Sequence, residues 1–130
     1  MDSSSTQLRV LVVEDCPDTA ETLRFLLDLW GHDVRVARNG LAALAVAPAF
    51  RPDVVLLDIG LPGPDGFEVA RRLKVAALTE TPVLIATTGY DGAAIRRHSR
   101  EVGFDHFLPK PVDLGHLRAL LDGARVVVQV

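Results

Sequence analysis

Short apolar runs alternate along the chain with segments whose apolar residues recur every three or four positions. The runs LRVLVV (8–13), DVRVA (33–37), DVVLLD (53–58), PVLIAT (82–87) and DHFLP (105–109) have the length and β-branched content of strands. Between the first two, residues 18–30 place Ala20, Leu23, Leu26, Leu27 and Trp30 on one helical face, and 41–49, 67–77, 93–102 and 113–124 predict four more helices. Gly31 and Gly103 follow two of these segments, where a helix commonly closes with a left-handed residue.

Strict alternation of strands and helices, with strands apolar on both faces, predicts an open α/β fold: a parallel sheet covered by helices on both sides, in three layers. Ligands of such folds bind beyond the carboxyl ends of the strands, near the switch in strand order. Residues 1–6 are expected to be disordered, 7–125 to form one domain, and 126–130 to be a tail of unclear structure. The β-branched stretch ARVVVQV (124–130) reads as a truncated linker, a sixth strand or a frayed end.

Composition narrows the class. A length of 130 residues suits a single domain with one core, and 48% hydrophobic with 24% charged residues is the balance of a soluble globular protein. The net charge of −3 gives no overall pull toward nucleic acid. Cys16 is the only cysteine, so an internal disulfide framework and cysteine-based zinc sites are excluded, and a reducing, cytoplasmic location is expected. No signal peptide and no stretch of the ~18 apolar residues needed to span a membrane is present. His32, His98, His106 and His116 lack metal-ligand spacing and are expected to be solvated.

The residues with chemical potential cluster where the strands end. The first run is followed by Glu14 and Asp15, the third ends in Asp58, the fourth in Thr87, and the fifth leads into Lys110. A parallel sheet delivers all of them to one edge. Crowded carboxylates repel one another, and burial worsens the penalty, so a cation is needed to keep them ionised. Oxygen ligands with room for water suit Mg²⁺, with Asp15 and Asp58 as direct ligands, the Gly60 carbonyl as a third oxygen, and Glu14 acting directly or through a bound water. An Asp beside Mg²⁺, a Lys and a Thr hydroxyl has the parts for phosphoryl transfer to a carboxylate.

Taken singly, these residues have plainer readings: Asp58 as a strand-end cap, Glu14 and Asp15 as acids at a helix start, Phe107 as core. Arg96, Arg97 and Arg100 form a basic strip on the fourth helix, read as a solvated face or a weak interface. A phosphohydrolase of the haloacid dehalogenase type would want a second Asp where Gly60 stands, and a cap domain for which there is no room. A flavodoxin-like cofactor binder would want a phosphate-cradling loop after the first strand, where this chain is acidic.

VVEDC, Asp58 with Leu61, Pro62, Asp65 and Gly66, the hydroxyl in PVLIATTG, and Lys110-Pro111 together resemble the receiver domain of two-component response regulators, over roughly residues 7–125. The resemblance implies a flavodoxin-like, doubly wound five-stranded sheet of order 2-1-3-4-5 with five helices. It implies that Asp58 accepts a phosphoryl group from a histidine kinase or histidine phosphotransfer protein while Glu14 and Asp15 hold Mg²⁺, Thr87 binds a phosphoryl oxygen and Lys110 pairs with another. The Lys110-Pro111 bond is then a cis candidate, and Phe107 occupies the switch-aromatic position. Such a chain is a phosphorylation-dependent switch that assists its own phosphorylation and dephosphorylation. No direct nucleic-acid or membrane contact is implied, the output partner is unidentified, and a homodimer is admitted. GYDG (89–92) and KPVDLGHL (110–117) look more like receivers of hybrid kinases and stand-alone receivers than those joined to DNA-binding domains.

Overall fold

The computed structural model describes residues 7–61, 65–76, 81–89 and 92–129. Residues 1–6, Pro62 of the loop motif, and Tyr90 and Asp91 of GYDG lie outside the described residues. The elements alternate throughout: β1 (Arg9–Val13), α1 (Pro17–Leu29), β2 (Asp33–Ala37), α2 (Gly40–Phe50), β3 (Val54–Asp58), α3 (Gly66–Ala76), β4 (Val83–Thr88), α4 (Ala93–Val102), β5 (His106–Pro109) and α5 (Leu114–Gln129). The strands form one parallel sheet in the order β2-β1-β3-β4-β5.

Strand periodicity sorts the core into two halves. Val10, Val12, Val54, Leu56 and Ile85 point to the face covered by Leu23 and Leu27 of α1 and Leu117 and Leu121 of α5. Leu11, Val13, Val55, Leu57, Leu84 and Ala86 point to the other face, against Ala43, Val69, Ala70 and Leu73 of α2 and α3. Every residue of β3 is buried, as the central strand of a doubly covered sheet requires. Each fully buried aliphatic side chain contributes about 1.5–3 kcal/mol, so this apolar sandwich outweighs the exposed ion pairs, worth about 0–1 kcal/mol each.

Local signals set the helix starts. Pro17 opens α1, where its missing N–H costs nothing. Asn39 Oδ1 accepts from the Ala42 N–H at 2.8 Å, Asp65 Oδ1 from Glu68 at 3.0 Å and Asp113 Oδ1 from His116 at 2.9 Å, capping α2, α3 and α5. Gly31 (φ 95°) and Gly103 (φ 117°) close α1 and α4 in the left-handed region.

Three details depart from the expectations drawn from sequence. The fourth strand includes Thr88. The last helix does not stop at Ala124 but runs through Gln129, because β-branching lowers helix propensity only slightly and 125–129 contains neither Pro nor Gly to end it. His32 is buried rather than solvated, at 3% exposure. It follows the Gly31 turn, and its Nδ1 accepts the Leu8 N–H at 3.3 Å, so a ring that reads as polar from sequence fills a place at the start of β1.

Candidate functional site

All five strands run the same way, so their carboxyl ends share one edge, and the order reverses between β1 and β3. Chains leave that point in opposite directions, which opens a crevice at the edge. Glu14 and Asp15 follow β1, Asp58 ends β3, Thr87 pairs with Asp58 from β4, and Lys110 follows β5.

Asp58 is 6% exposed and held through both oxygens. The Gly60 N–H donates to Oδ1 at 2.8 Å, and the Lys110 ammonium donates to Oδ2 at 3.0 Å. Lys110 Nζ also donates to Glu14 Oε1 at 2.9 Å, while Glu14 Oε2 accepts the Cys16 N–H at 3.1 Å. One ammonium thus bridges two buried carboxylates from separate strands. Asp15 is exposed, and oxygens of Glu14, Asp15 and Asp58 all lie within 4.8 Å of one another.

Burial dominates the electrostatics of Glu14. Desolvation raises its pKa, and the bonds from Lys110 and the Cys16 N–H, which act the other way, do not cancel the rise; the Asp58 charge adds to it. For Lys110, burial works against the charged form, but its bonds to Glu14 and Asp58 outweigh that cost and its pKa is raised. The ammonium is therefore retained at neutral pH. The exposed Cys16 thiol, at the entry to α1, is lowered chiefly by hydrogen bonding from Thr19.

The loop geometry around Asp58 depends on Gly66. A Cβ there would fall 2.4 Å from Ile59 Cα and 2.9 Å from the Asp58 carbonyl, so only glycine lets α3 start this close behind the carboxylate. In front the site is open: a Cβ on Gly60 would stand 3.4 Å from Asp58 Oδ1, and one on Gly89 would meet nothing within 4 Å. Thr87 is 4% exposed, and no described residue makes a hydrogen bond to its hydroxyl. Its backbone carbonyl accepts the Ile59 N–H at 3.0 Å, and the Thr88 carbonyl accepts the Lys110 N–H at 2.7 Å. The Lys110–Pro111 peptide is cis. Phe107 is half-buried, with the Arg96 guanidinium 4.7 Å from its ring centroid.

These donors suit a hard cation. Three carboxylates supply only oxygen, two are buried, and among the described residues Lys110 is the one cation paired with them, the setting in which Mg²⁺ is held by carboxylates and water. A residue outside the sequence-derived set also reaches the edge: Arg38, one past β2, donates through Nη2 to the Asp15 carbonyl at 2.9 Å. No sequence pattern marks a side chain that binds a main-chain carbonyl 23 residues away. The basic residues Arg96, Arg97 and Arg100 lie exposed on α4.

Comparison with known proteins agrees with this geometry. The model of the response regulator receiver domain family matches residues 10–122. Protein PilH of Pseudomonas aeruginosa is 40% identical over 106 residues, covering 81% of this chain and 87% of PilH. Response regulator PleD of Caulobacter vibrioides is 38% identical over 105 residues, covering 81% of this chain but 23% of PleD, so the same unit occurs nearly alone and within a much longer protein. The beryllium-fluoride-activated N-terminal receiver domain of RstA from Klebsiella pneumoniae superposes with a TM-score of 0.80 at 30% identity, covering 88% of this chain and 95% of that one. The chain belongs to the response regulator receiver domain family, the phospho-acceptor signalling modules of two-component systems.

Proposed function

We propose that Asp58 is the phospho-acceptor and that a phosphohistidine of a histidine kinase or histidine phosphotransfer protein is the donor. The observation that carries this is the buried Asp58 carboxylate at the open sheet edge, bonded to Lys110 and within 4.8 Å of Glu14 and Asp15 oxygens. An Asp58 oxygen forms the new P–O bond as the P–N bond to the donor imidazole breaks and the imidazole leaves. Lys110, released in part from Asp58, pairs with a phosphoryl oxygen, and the Thr87 hydroxyl donates to another. The buried Thr87 hydroxyl with no bond from the described residues supports that role.

Asp15, Asp58 and the Gly60 carbonyl would hold Mg²⁺, with Glu14 acting directly or through water; the ion supplies neutralisation of the phosphoryl oxygens. Phe107 and Thr87 form the switch: phosphorylation draws the Thr87 hydroxyl toward Asp58, and the ring of Phe107 turns inward on the neighbouring strand. The outcome is a changed surface, not a released product, and the domain assists both its own phosphorylation and its dephosphorylation. Residues 7–125 constitute the working unit, acting in the cytoplasm either alone or within a larger regulator or hybrid kinase. Among the described residues no helix is long and apolar enough to cross a membrane.

The test is transfer from a phosphohistidine-bearing phosphotransfer protein. Label should pass to this chain in Mg²⁺, and chelation should stop it. Transfer that proceeds equally with Asp58→Asn excludes Asp58 as the acceptor.

A further inference from the structure

Two of the three clustered carboxylates are fixed by their own hydrogen bonds and the third is not. Asp58 is held by Gly60 and Lys110, and Glu14 by Lys110 and the Cys16 N–H. The Asp15 carboxylate is exposed and, among the described residues, receives no hydrogen bond or ion pair. Its place in the cluster is therefore set by its backbone.

That backbone is tied to the end of β2 at two successive residues. Val13 pairs with Ala37, and the Glu14 N–H donates to the Ala37 carbonyl at 3.0 Å as the last rung of the sheet. The next tie is a side chain: Arg38 Nη2 donates to the Asp15 carbonyl at 2.9 Å. Arg38 is itself restrained, standing between the last rung at Ala37 and Asn39, whose Oδ1 caps α2. A side chain carried on backbone anchored at both neighbours can hold a loop that has no further sheet to join.

We infer that Arg38 is a positioning residue of the metal site: its guanidinium holds the Asp15 peptide so that the Asp15 carboxylate stays within the oxygen cluster of Glu14 and Asp58. The inference rests on reading that cluster as the Mg²⁺ site. It has a sign that separates it from a charge effect. Arg38 is a cation near a cation site, so through its charge alone its removal would tighten Mg²⁺ binding, although solvent and salt weaken that repulsion at an exposed position. Through positioning, its removal loosens binding.

The experiment is calorimetric titration of Mg²⁺ into the wild type, Arg38→Met, Arg38→Lys and the control Arg24→Met, a cation on α1 that pairs with Glu21 at 3.1 Å. Arg38→Met keeps the apolar stem and removes the donors, and its Kd should rise about threefold to tenfold, at or below the foot of the roughly 10–100-fold range for groups that bond a metal ligand directly, because Arg38 holds the Asp15 peptide and not its carboxylate. Arg38→Lys retains a donor and should fall between Met and the wild type, and Arg24→Met should match the wild type. Wild-type or tighter affinity in Arg38→Met overturns the inference, as does Arg38→Lys binding no better than Arg38→Met, or equal weakening in Arg24→Met. If the wild type takes a phosphoryl group on Asp58 in Mg²⁺ while Arg38→Met binds Mg²⁺ normally, the role of Arg38 alone is rejected; a wild type that binds no Mg²⁺ removes the reading of the site and the inference with it.

Discussion

Lys110 Nζ stands 3.0 Å from Asp58 Oδ2 and 2.9 Å from Glu14 Oε1, joining the exits of three strands through one ammonium. This group is the counter-charge at the centre of the carboxylates. A phosphoryl group on Asp58 has to draw the same ammonium toward itself.

Lys110→Met should therefore destabilise the protein without metal by about 1–3 kcal/mol, because two buried acceptors lose a charged donor. Mg²⁺ supplies positive charge to the same oxygens, so adding it should narrow the gap to the wild type. Urea denaturation with and without Mg²⁺ measures both. A variant as stable as the wild type in the absence of metal would show that Lys110 does not offset the carboxylates.

Glu14 predicts the opposite direction. Its pKa is raised in the fold, chiefly by burial, so the protonated form is the one the fold favours. The stabilisation from binding that proton is full below the unfolded value of 4.5 and is lost as pH rises through the folded value. At pH 7 the ionised carboxylate is a cost, and Glu14→Gln should raise the unfolding midpoint, with a gain of about 0.5–2 kcal/mol as is usual when a strained site is relaxed. The gain should shrink toward zero as pH falls below the folded value. Thermal melts across that range decide it; a gain that grows toward acid pH contradicts the sign.

Gly66 and Gly89 should respond unequally to the same change. Gly66→Ala places a Cβ against Ile59 Cα and the Asp58 carbonyl, both backbone atoms, and overpacking of this kind costs about 1–3 kcal/mol. Gly89→Ala meets nothing within 4 Å and should stay within about 0.5 kcal/mol of the wild type. Equal stabilities for the two variants in urea titration would show that α3 can move away from Asp58 at no cost.

The sequence is most informative where one physical rule ties position to role. Because β1, β3, β4 and β5 are parallel, Glu14, Asp15, Asp58, Thr87 and Lys110 could be assigned to one edge from the places where apolar runs end. The helix caps at Asn39, Asp65 and Asp113 are similarly local, each a short polar side chain three residues before the N–H it binds. Contacts that join distant backbone escape such reading. Arg38 binds a carbonyl, and carbonyls leave no trace in residue identity. His32 looks polar until the Gly31 turn folds it under Leu8. The valines near the end of α5 suggest a strand by their branching, yet the backbone stays helical through Gln129.

The most direct measurement of the central claim is intact mass after incubation with Mg²⁺ and acetyl phosphate, on the wild type and on Asp58→Asn. The wild type should gain one phosphoryl group, only when Mg²⁺ is present, and Asp58→Asn should gain none. An adduct of equal yield on Asp58→Asn, or none on the wild type from either acetyl phosphate or a phosphohistidine protein, would contradict the assignment of Asp58 as the phospho-acceptor.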